Sequence, residues 1–485
     1  MAGRDSLFTS EYRRVSIAIL LMVALSAFES LAAIAALPEI AADLGSVTLL
    51  PWIVTVYLVA ATIASVAAGP FVDSLGVRSI FRIGVAVFGV ATVLAAVAPS
   101  MEILVLTRAV HGAGGGLVFT SGLAAVPLVY RPGMVGPAYA AGATVWGVNA
   151  VAGPAIAAVV LTFAGWRWIF LVILPLVIVG AYLGLTTLPG PLDGAERHPF
   201  DWVGLAIVGS FFISFVLALD ALDLRSIGFG AVAAGAAALY WRHAKRSQAP
   251  VVRVEHFLVN PYRSLWLSIA FLLTGGIGAY VFSPIYVRAA RFGSQALTAW
   301  TVLFVTVGWT VGANVSGRLQ ERDAPEVLMM IGSAISAVAM LVTAGFVAAE
   351  LPLWLIFVSL TFVGSGLGVS TNAALQVVRL TTENRVIGRV TAAHDFGRNI
   401  GFSGGTAIGG GILFAVMAGR IADIELVRDV LGGVDVAASD EVASAVAAGI
   451  QTMLIVGSVF ATVGLVFAWS LRRWRRQQSQ VLSEP

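Results

Sequence analysis

The sequence predicts an all-α membrane protein of fourteen transmembrane helices, arranged as two six-helix halves with two further helices inserted between them. Three observations carry this. First, 59% of the 485 residues are hydrophobic, only 11% are charged, and mean hydropathy is +0.92. A soluble domain carries roughly 25% charge, so this chain cannot cover a water-facing surface with polar groups. Second, apolar runs of about 18 residues or more recur along the chain, and the roughly 10-residue alternating segments of a membrane β-barrel do not. Third, positive charge gathers in every second loop, the bias of cytoplasmic loops.

The spans follow in order. The first, 15–37, comes after Arg4, Arg13 and Arg14. A basic start followed by an apolar run also describes a signal peptide, but this run is long and holds Glu29, so a retained helix is expected. Spans 49–68, 79–98, 103–126, 137–163 and 168–188 complete a first half, residues 1–188. The connection 189–199 is rich in Pro and Gly. Spans 202–222 and 227–241 then occupy a linking segment, 189–263, which ends in a basic stretch. The second of these is short and rich in small residues, and is expected to tilt or to thin the bilayer locally. Spans 264–286, 296–316, 327–348, 353–378, 390–416 and 446–471 make the second half, 264–485.

The loop charges orient these spans. One set of loops holds Arg78 and Arg82, then Arg131, then Arg242, Lys245, Arg246, Arg253 and Arg263, then Arg318 and Arg322, then Arg379, Arg385 and Arg389. The C-terminus adds Arg472, Arg473, Arg475 and Arg476. The opposite loops are poor in positive charge or acidic: Glu39 and Asp43, Glu102, Glu350, and the stretch with Asp423, Glu425, Asp429, Asp435, Asp440 and Glu441 against Arg420 and Arg428. Both termini are therefore expected in the cytoplasm, with the chain in the cell membrane. Arg167 and the pair Arg288 and Arg291 are exceptions to the pattern.

Composition also excludes chemistry. There is no cysteine, hence no disulfide, thiol catalysis or Cys-based metal site. Five histidines show no HxxxH or HExxH spacing. Gly112 to Gly116, GAGGG, lies inside an apolar helix with no Gly-Lys-Ser/Thr after it, so it is not a nucleotide loop. Neither an enzyme nor a cofactor is expected. The net charge of +3 comes from loop arginines and fits membrane orientation rather than nucleic-acid binding. The expected partners are a small-molecule or lipid substrate, protons and membrane lipid, with the protein acting as a monomer.

Charged residues inside the spans are the candidates for function, because each costs at least about 2.5 kcal/mol to insert. Glu29 lies about 13 Å from the end of its helix at Pro38. It reads as a proton carrier or a counter-charge for a cation; the alternative is a carboxyl bonded to a neighbouring helix. Arg108 lies about 9 Å from Glu102, at a similar depth, and a guanidinium there would favour the charged carboxylate. The alternative is an arginine bonded to helix carbonyls. His111 follows at i+3, either bonded to backbone or relaying protons. In the second half His394, Asp395, Arg398 and Asn399 start span 390–416. Asp395 and Arg398 are spaced to pair, or to act as a second titratable site with His394. Asn149, Asn314, Asn372 and Gln376 are buried amides, either interhelical glue or substrate contacts. The expected substrate cavity holds Glu29, Asn149, Arg398 and Asn372. The glycines 112–116 and GGTAIGGG, 404–411, allow close helix approach.

The polar turn GPFVDSLGVRSIFR, 69–82, connects spans two and three. Its pattern Gly69-x-x-x-Asp73-x-x-Gly76-x-Arg78 resembles the signature loop of the major facilitator superfamily. LVLTRAVHGAGGG, 104–116, resembles that family's L-x-x-x-R-x-x-Q-G-x-G motif, with His111 in place of the glutamine. Gly153-Pro154 resembles the antiporter motif, although Ala140 and Asn149 stand at expected glycine positions and Ala157-Ala158 replaces a Gly-Gly pair. WIVTVYL (52–58), GWRWIF (165–170) and FDWVG (200–204) are similar to the fourteen-helix drug:proton antiporter branch, which usually has aspartate at the Glu29 position. GANVSGRLQER, 312–322, echoes the 69–82 turn in the second half. The resemblance implies the major facilitator fold with parallel halves. It gives Arg108 a part in proton coupling, and it makes Asp73, Arg78 and Arg82, with Gly153 and Pro154, gating residues. Asp73 is placed to meet a helix N-terminus, where negative charge is favoured.

The combined reading is a secondary transporter exporting amphipathic or cationic small molecules, coupled to protons, by alternating access. Export or flipping of a lipid or cell-envelope precursor is the alternative within transport. A non-transporting membrane scaffold or sensor is the alternative outside it.

Overall fold

The computed structural model describes residues 6–45, 49–192, 199–220, 225–320, 324–421, 423, 426–427, 430 and 439–481. Arg4, Arg322, Arg428 and most of the acidic stretch after the span 390–416 lie outside these residues.

The described residues form helices joined by short turns, with no strand among them. They are α1 (Arg13–Leu44), α2 (Trp52–Leu75), α3 (Val77–Ala96), α4 (Met101–Val129), α5 (Pro132–Ala164), α6 (Arg167–Leu171) and α7 (Leu174–Thr187). Then come α8 (Trp202–Asp220), α9 (Arg225–Ala244), α10 (Glu255–Leu258), α11 (Tyr262–Ile285), α12 (Gln295–Leu319), α13 (Pro325–Ala348), α14 (Leu353–Thr381), α15 (Ile387–Ala418) and α16 (Asp440–Val481). Eleven of the described helical segments are long and apolar enough to cross a bilayer. Helices α1, α9 and α12 stand where three further spans are expected.

Local chemistry sets the ends. The Ser100 hydroxyl accepts from the Ile103 N–H at 3.4 Å and starts α4, and Ser294 does the same for α12. Pro132 and Pro325 occupy the first helical positions of α5 and α13. Gly45, Gly76 and Gly165 stop α1, α2 and α5 in left-handed conformations. Span 168–188 is interrupted near Pro175, giving α6 and α7.

Two expectations need correcting. Helix α1 does not end at Pro38 but runs on to Leu44, so Glu29 lies farther from its helix end than expected. The polar stretch 69–82 is not an open turn. Helix α2 runs through Pro70 and Asp73 to Leu75, and α3 starts at Val77, so Arg78 and Arg82 are helical too. Apolarity ends near residue 68, but backbone hydrogen bonding does not depend on it. Only Gly76 is left to turn the chain.

The chain divides into two compact units. One comprises 1–215, 230–256 and 378–396; the other comprises 216–229, 257–377 and 397–485. In the first, α4 packs on α2 and α3, and α1 packs on α5 and α7. In the second, α16 packs on α11 and α13. A shared device joins helices within each unit. A Cβ on Gly112 or Gly116 of α4 would overlap the carbonyls of Tyr57 and Ala61 on α2. A Cβ on Gly364 or Gly368 of α14 would overlap those of Val305 and Trp309 on α12. Glycines four apart strip one helix stripe to backbone and let axes approach closely. Hydroxyls add cross-helix bonds in the second unit: Ser336 donates to the Val363 carbonyl at 3.0 Å, and Ser370 to that of Met329 at 2.9 Å.

The arginines that broke the loop pattern have local partners. Arg167 Nη1 is 2.6 Å from Asp43 Oδ2, which also accepts from Trp166 Nε1 at 3.0 Å. Arg291 Nη1 donates to the Leu351 carbonyl at 3.0 Å and to Tyr286 Oη at 3.1 Å.

Candidate functional site

The first unit contains a buried charge cluster where α1, α2, α3 and α4 meet. Glu29 on α1 is 2% exposed and Arg108 on α4 only 1%. Arg108 Nη1 donates to Glu29 Oε1 in a direct ion pair. Arg108 Nε donates to the Ile53 carbonyl of α2 at 3.1 Å. The guanidinium carbon lies 4.4 Å from the centre of the Tyr57 ring, a cation–π distance. The glycine contact explains this reach. Gly112 is one turn after Arg108, and its contact with Tyr57 brings α4 close enough for Arg108 to touch the backbone of α2.

His111, on the same face as Arg108, is wholly buried. Its Nδ1 is 3.0 Å from Arg108 Nη1 and 3.7 Å from Glu29 Oε1. Its Nε2 is 3.0 Å from Thr92 Oγ1 on α3, and the Thr92 hydroxyl donates to the Phe88 carbonyl at 2.8 Å. Phe88, Tyr57 and Phe170 pack around the imidazole, with ring centres 4.2, 5.7 and 6.4 Å away. Glu29 and Arg108 are thus brought together, and the bonds of His111 are to side chains rather than to backbone. A carboxylate, a guanidinium and an imidazole in a buried aromatic shell form a group whose internal bonds depend on its protonation.

A second polar node lies at the end of α2. Asp73 Oδ1 accepts from the Gly388 N–H at 2.7 Å, and Oδ2 from the Arg389 N–H at 3.2 Å. Arg389 Nε is 3.7 Å from Oδ2. These N–H groups open α15, so the carboxylate satisfies helix-terminal donors and meets the positive end of the helix dipole. Arg78 Nε donates to the Leu188 carbonyl at 2.6 Å, and the Arg78 N–H to that of Pro189 at 3.1 Å, fixing the chain that leaves α7. Gly76 is required twice over. Its φ is +81°, and a Cβ would overlap the backbone of Gly190 and Pro191. Gly76→Ala is expected to cost about 1–3 kcal/mol, read as a lower melting temperature of purified protein in detergent. Arg82 is exposed on α3.

Beside this node, Phe71 of α2 stacks on Phe200 with ring centres 4.3 Å apart. Asp201 Oδ1 accepts from the Gly204 N–H at 2.8 Å and lies 2.7 Å from His243 Nε2, while Oδ2 accepts from the Val251 N–H at 3.3 Å. The residues FDWVG thus tie the start of α8 to α2, to the end of α9 and to the following chain.

The remaining expected residues are dispersed. Asn149 is half-buried on α5 and donates to the Val145 carbonyl of its own helix at 2.9 Å. On α5 too, Gly153 is buried and Pro154 exposed. Asn372 is buried on α14, and its Oδ1 accepts from Gln320 Nε2 at 2.6 Å. His394 and Asp395 are buried on α15, with Arg398 half-buried one turn on. Tyr57, Thr92 and Arg389 were missed as site residues. Tyr57 stands in the WIVTVYL stretch, whereas Arg389 stands in the sequence as one loop charge among several.

Comparison with known proteins identifies the family and the fold. The sequence profile of the Major Facilitator Superfamily matches residues 19–406. A probable multidrug-efflux transporter of Mycobacterium tuberculosis is 28% identical over 380 residues, covering 74% of this chain and 79% of that protein. The tetracenomycin C resistance and export protein of Streptomyces glaucescens is 26% identical over 419 residues, covering 84% of this chain and 76% of that protein. Among solved structures, the human organic anion transporter MFSD10 superposes with a TM-score of 0.64 at 13% identity, covering 94% of this chain and 98% of that one. The proton:xylose symporter XylE gives 0.62 at 14% identity, covering 94% and 95%. The profile spans most of the chain, and the likeness of fold extends over nearly all of it. The chain is an integral membrane transporter, not an enzyme, and it belongs to the major facilitator superfamily.

Proposed function

We infer that this transporter is a proton-coupled exporter of amphipathic or cationic small molecules, of the fourteen-helix drug antiporter branch. The observation that carries the reading is the buried Glu29–Arg108 pair. Two opposite charges out of water stay charged only while each has the other. A proton reaching Glu29 neutralises the carboxylate and removes the charge partner of Arg108. A cationic substrate competes for the same carboxylate, so proton and substrate exclude each other there, which is the requirement of antiport. The relatives named for multidrug efflux and antibiotic export favour this substrate class.

The remaining assignments belong to the same proposal. Both termini are cytoplasmic, and the protein acts as a monomer. Residues 1–188 and 264–485 are the two halves of an alternating-access carrier, linked by 189–263. Asn149, Asn372 and Arg398 are substrate contacts in addition to Glu29, and His394 with Asp395 gives a further titratable group. Asp73, held on the first N–H groups of α15, latches the cytoplasmic side, with Arg78, Arg82, Gly153 and Pro154 serving the same gate.

The test is Glu29→Gln, which keeps the shape of the side chain and removes its proton chemistry. Purified variant in proteoliposomes is expected to lose ethidium transport driven by a pH gradient while keeping its fold by circular dichroism. Undiminished gradient-driven transport by this variant would sink the reading.

A further inference from the structure

The coupling mechanism above uses Glu29 and Arg108 and leaves His111 without a task. The hydrogen-bond directions around this ring can be assigned one by one. A guanidinium has N–H donors and no acceptor. The 3.0 Å contact from Arg108 Nη1 therefore makes His111 Nδ1 a lone-pair acceptor. The ring proton then sits on Nε2 and is donated to Thr92 Oγ1 at 3.0 Å. The Thr92 hydroxyl proton goes on to the Phe88 carbonyl at 2.8 Å, which can only accept. His111 is thus the neutral Nε2–H tautomer. The same Arg108 Nη1 also bonds Glu29 Oε1, so one nitrogen serves two proton acceptors that stand 3.7 Å apart.

We propose that His111 is a second proton-accepting group of the coupling site, sharing Arg108 with Glu29. The proposal rests on the reading of Glu29 as the coupling carboxylate. A proton arriving at Nδ1 takes up its lone pair, and the ring gains one positive charge. The Arg108 N–H loses that acceptor and moves off, toward the Ile53 carbonyl and the Tyr57 face it already touches. The new Nδ1–H points at Glu29 Oε1. The carboxylate then balances two cations, and a second proton neutralises it. The titratable and charged groups in contact with the ring are Glu29 from α1, Tyr57 from α2 and Arg108 from α4 itself. Helices α3 and α6 bring Phe88, Thr92 and Phe170, which do not titrate. Glutamine at this position offers Arg108 an acceptor oxygen but cannot take a proton, so His111→Gln separates the two roles of the residue.

The experiment has two arms. In the first, the protein is labelled with 15N-histidine and titrated in lipid; replacing the other histidines singly identifies the His111 signals. The ring is expected to carry its proton on Nε2 at high pH, and to become doubly protonated across the pH range in which transport switches on. A ring that stays neutral throughout that range overturns the proposal, whether or not any variant folds. In the second, His111→Gln is assayed in proteoliposomes with ethidium. The protons moved per ethidium are expected to fall by one. The limiting pH dependence is expected to fall from about 100-fold to about 10-fold per pH unit, because one coupled proton is gone. An unchanged ratio and slope overturns the proposal. Uncoupling by Glu29→Gln with wild-type behaviour of His111→Gln would remove this inference alone. Full coupling in Glu29→Gln would remove the reading of Glu29 instead, whatever the His111 spectra show.

Discussion

Arg108→Ala is expected to abolish transport and to cost the fold about 3–5 kcal/mol, because it leaves a buried carboxylate without its cation. Glu29 loses its charge partner at 2% exposure. The Ile53 carbonyl and His111 Nδ1 lose their donors at the same moment, and unmade buried hydrogen bonds add to the penalty. The diagnostic comparison is the double variant Glu29→Gln, Arg108→Gln. With both charges gone the desolvation penalty goes too, so the double variant is expected to melt well above Arg108→Ala while remaining inactive. Neighbouring residues in one network are not additive, and the size of this recovery measures the pair. An Arg108→Ala protein as stable as wild type would show that Glu29 is not charged in the folded protein.

Gly112→Leu is expected to be as damaging through geometry alone. A side chain there would be driven into the Tyr57 carbonyl, and backbone cannot give way as a flexible side-chain tip can. Overpacking typically costs about 1–3 kcal/mol and sometimes more, and the high end is expected where α4 must retreat from α2. The retreat would carry Arg108, one turn away, out of reach of Ile53, so transport is expected to fall along with stability. Gly368→Leu meets the Trp309 carbonyl in the second unit. It is expected to lower the melting temperature similarly while leaving the Glu29–Arg108 contact in place, as read by an unchanged His111 NMR signal. Equal effects of the two variants on that signal would refute the link between helix approach and Arg108 placement.

Much of this was legible in the residues. A carboxylate and a guanidinium inside apolar runs are costly enough to require a partner each. Asp73 stood out as an acid beside turn glycines, although hydropathy ended its helix too early. What stayed hidden depends on three-dimensional neighbours. Arg389 looked like any loop charge, because nothing in the chain says that Gly388 and Arg389 open a helix facing Asp73. Gly364 and Gly368 carry no mark in the sequence, since a glycine in an apolar helix shows its purpose only when the opposing carbonyl is known. Thr92 has no signal of its own; its place is set by the imidazole whose hydrogen bond its hydroxyl oxygen accepts.

The bond between Asp73 and Gly388 spans 315 positions of the chain, and this separation bears on biosynthesis. A ribosome delivers α2 to the membrane long before it makes α15. During that interval the Asp73 carboxylate has neither of the peptide donors that later hold it at 8% exposure. The first compact unit, which draws on residues 378–396, cannot be completed while α11 to α14 are still being inserted. Of the segments that make up this unit, 378–396 is the last to be synthesised. A polypeptide severed between its halves at residue 263 would bear an N-terminal fragment that waits, with an unsatisfied acid at the end of α2, for its complement.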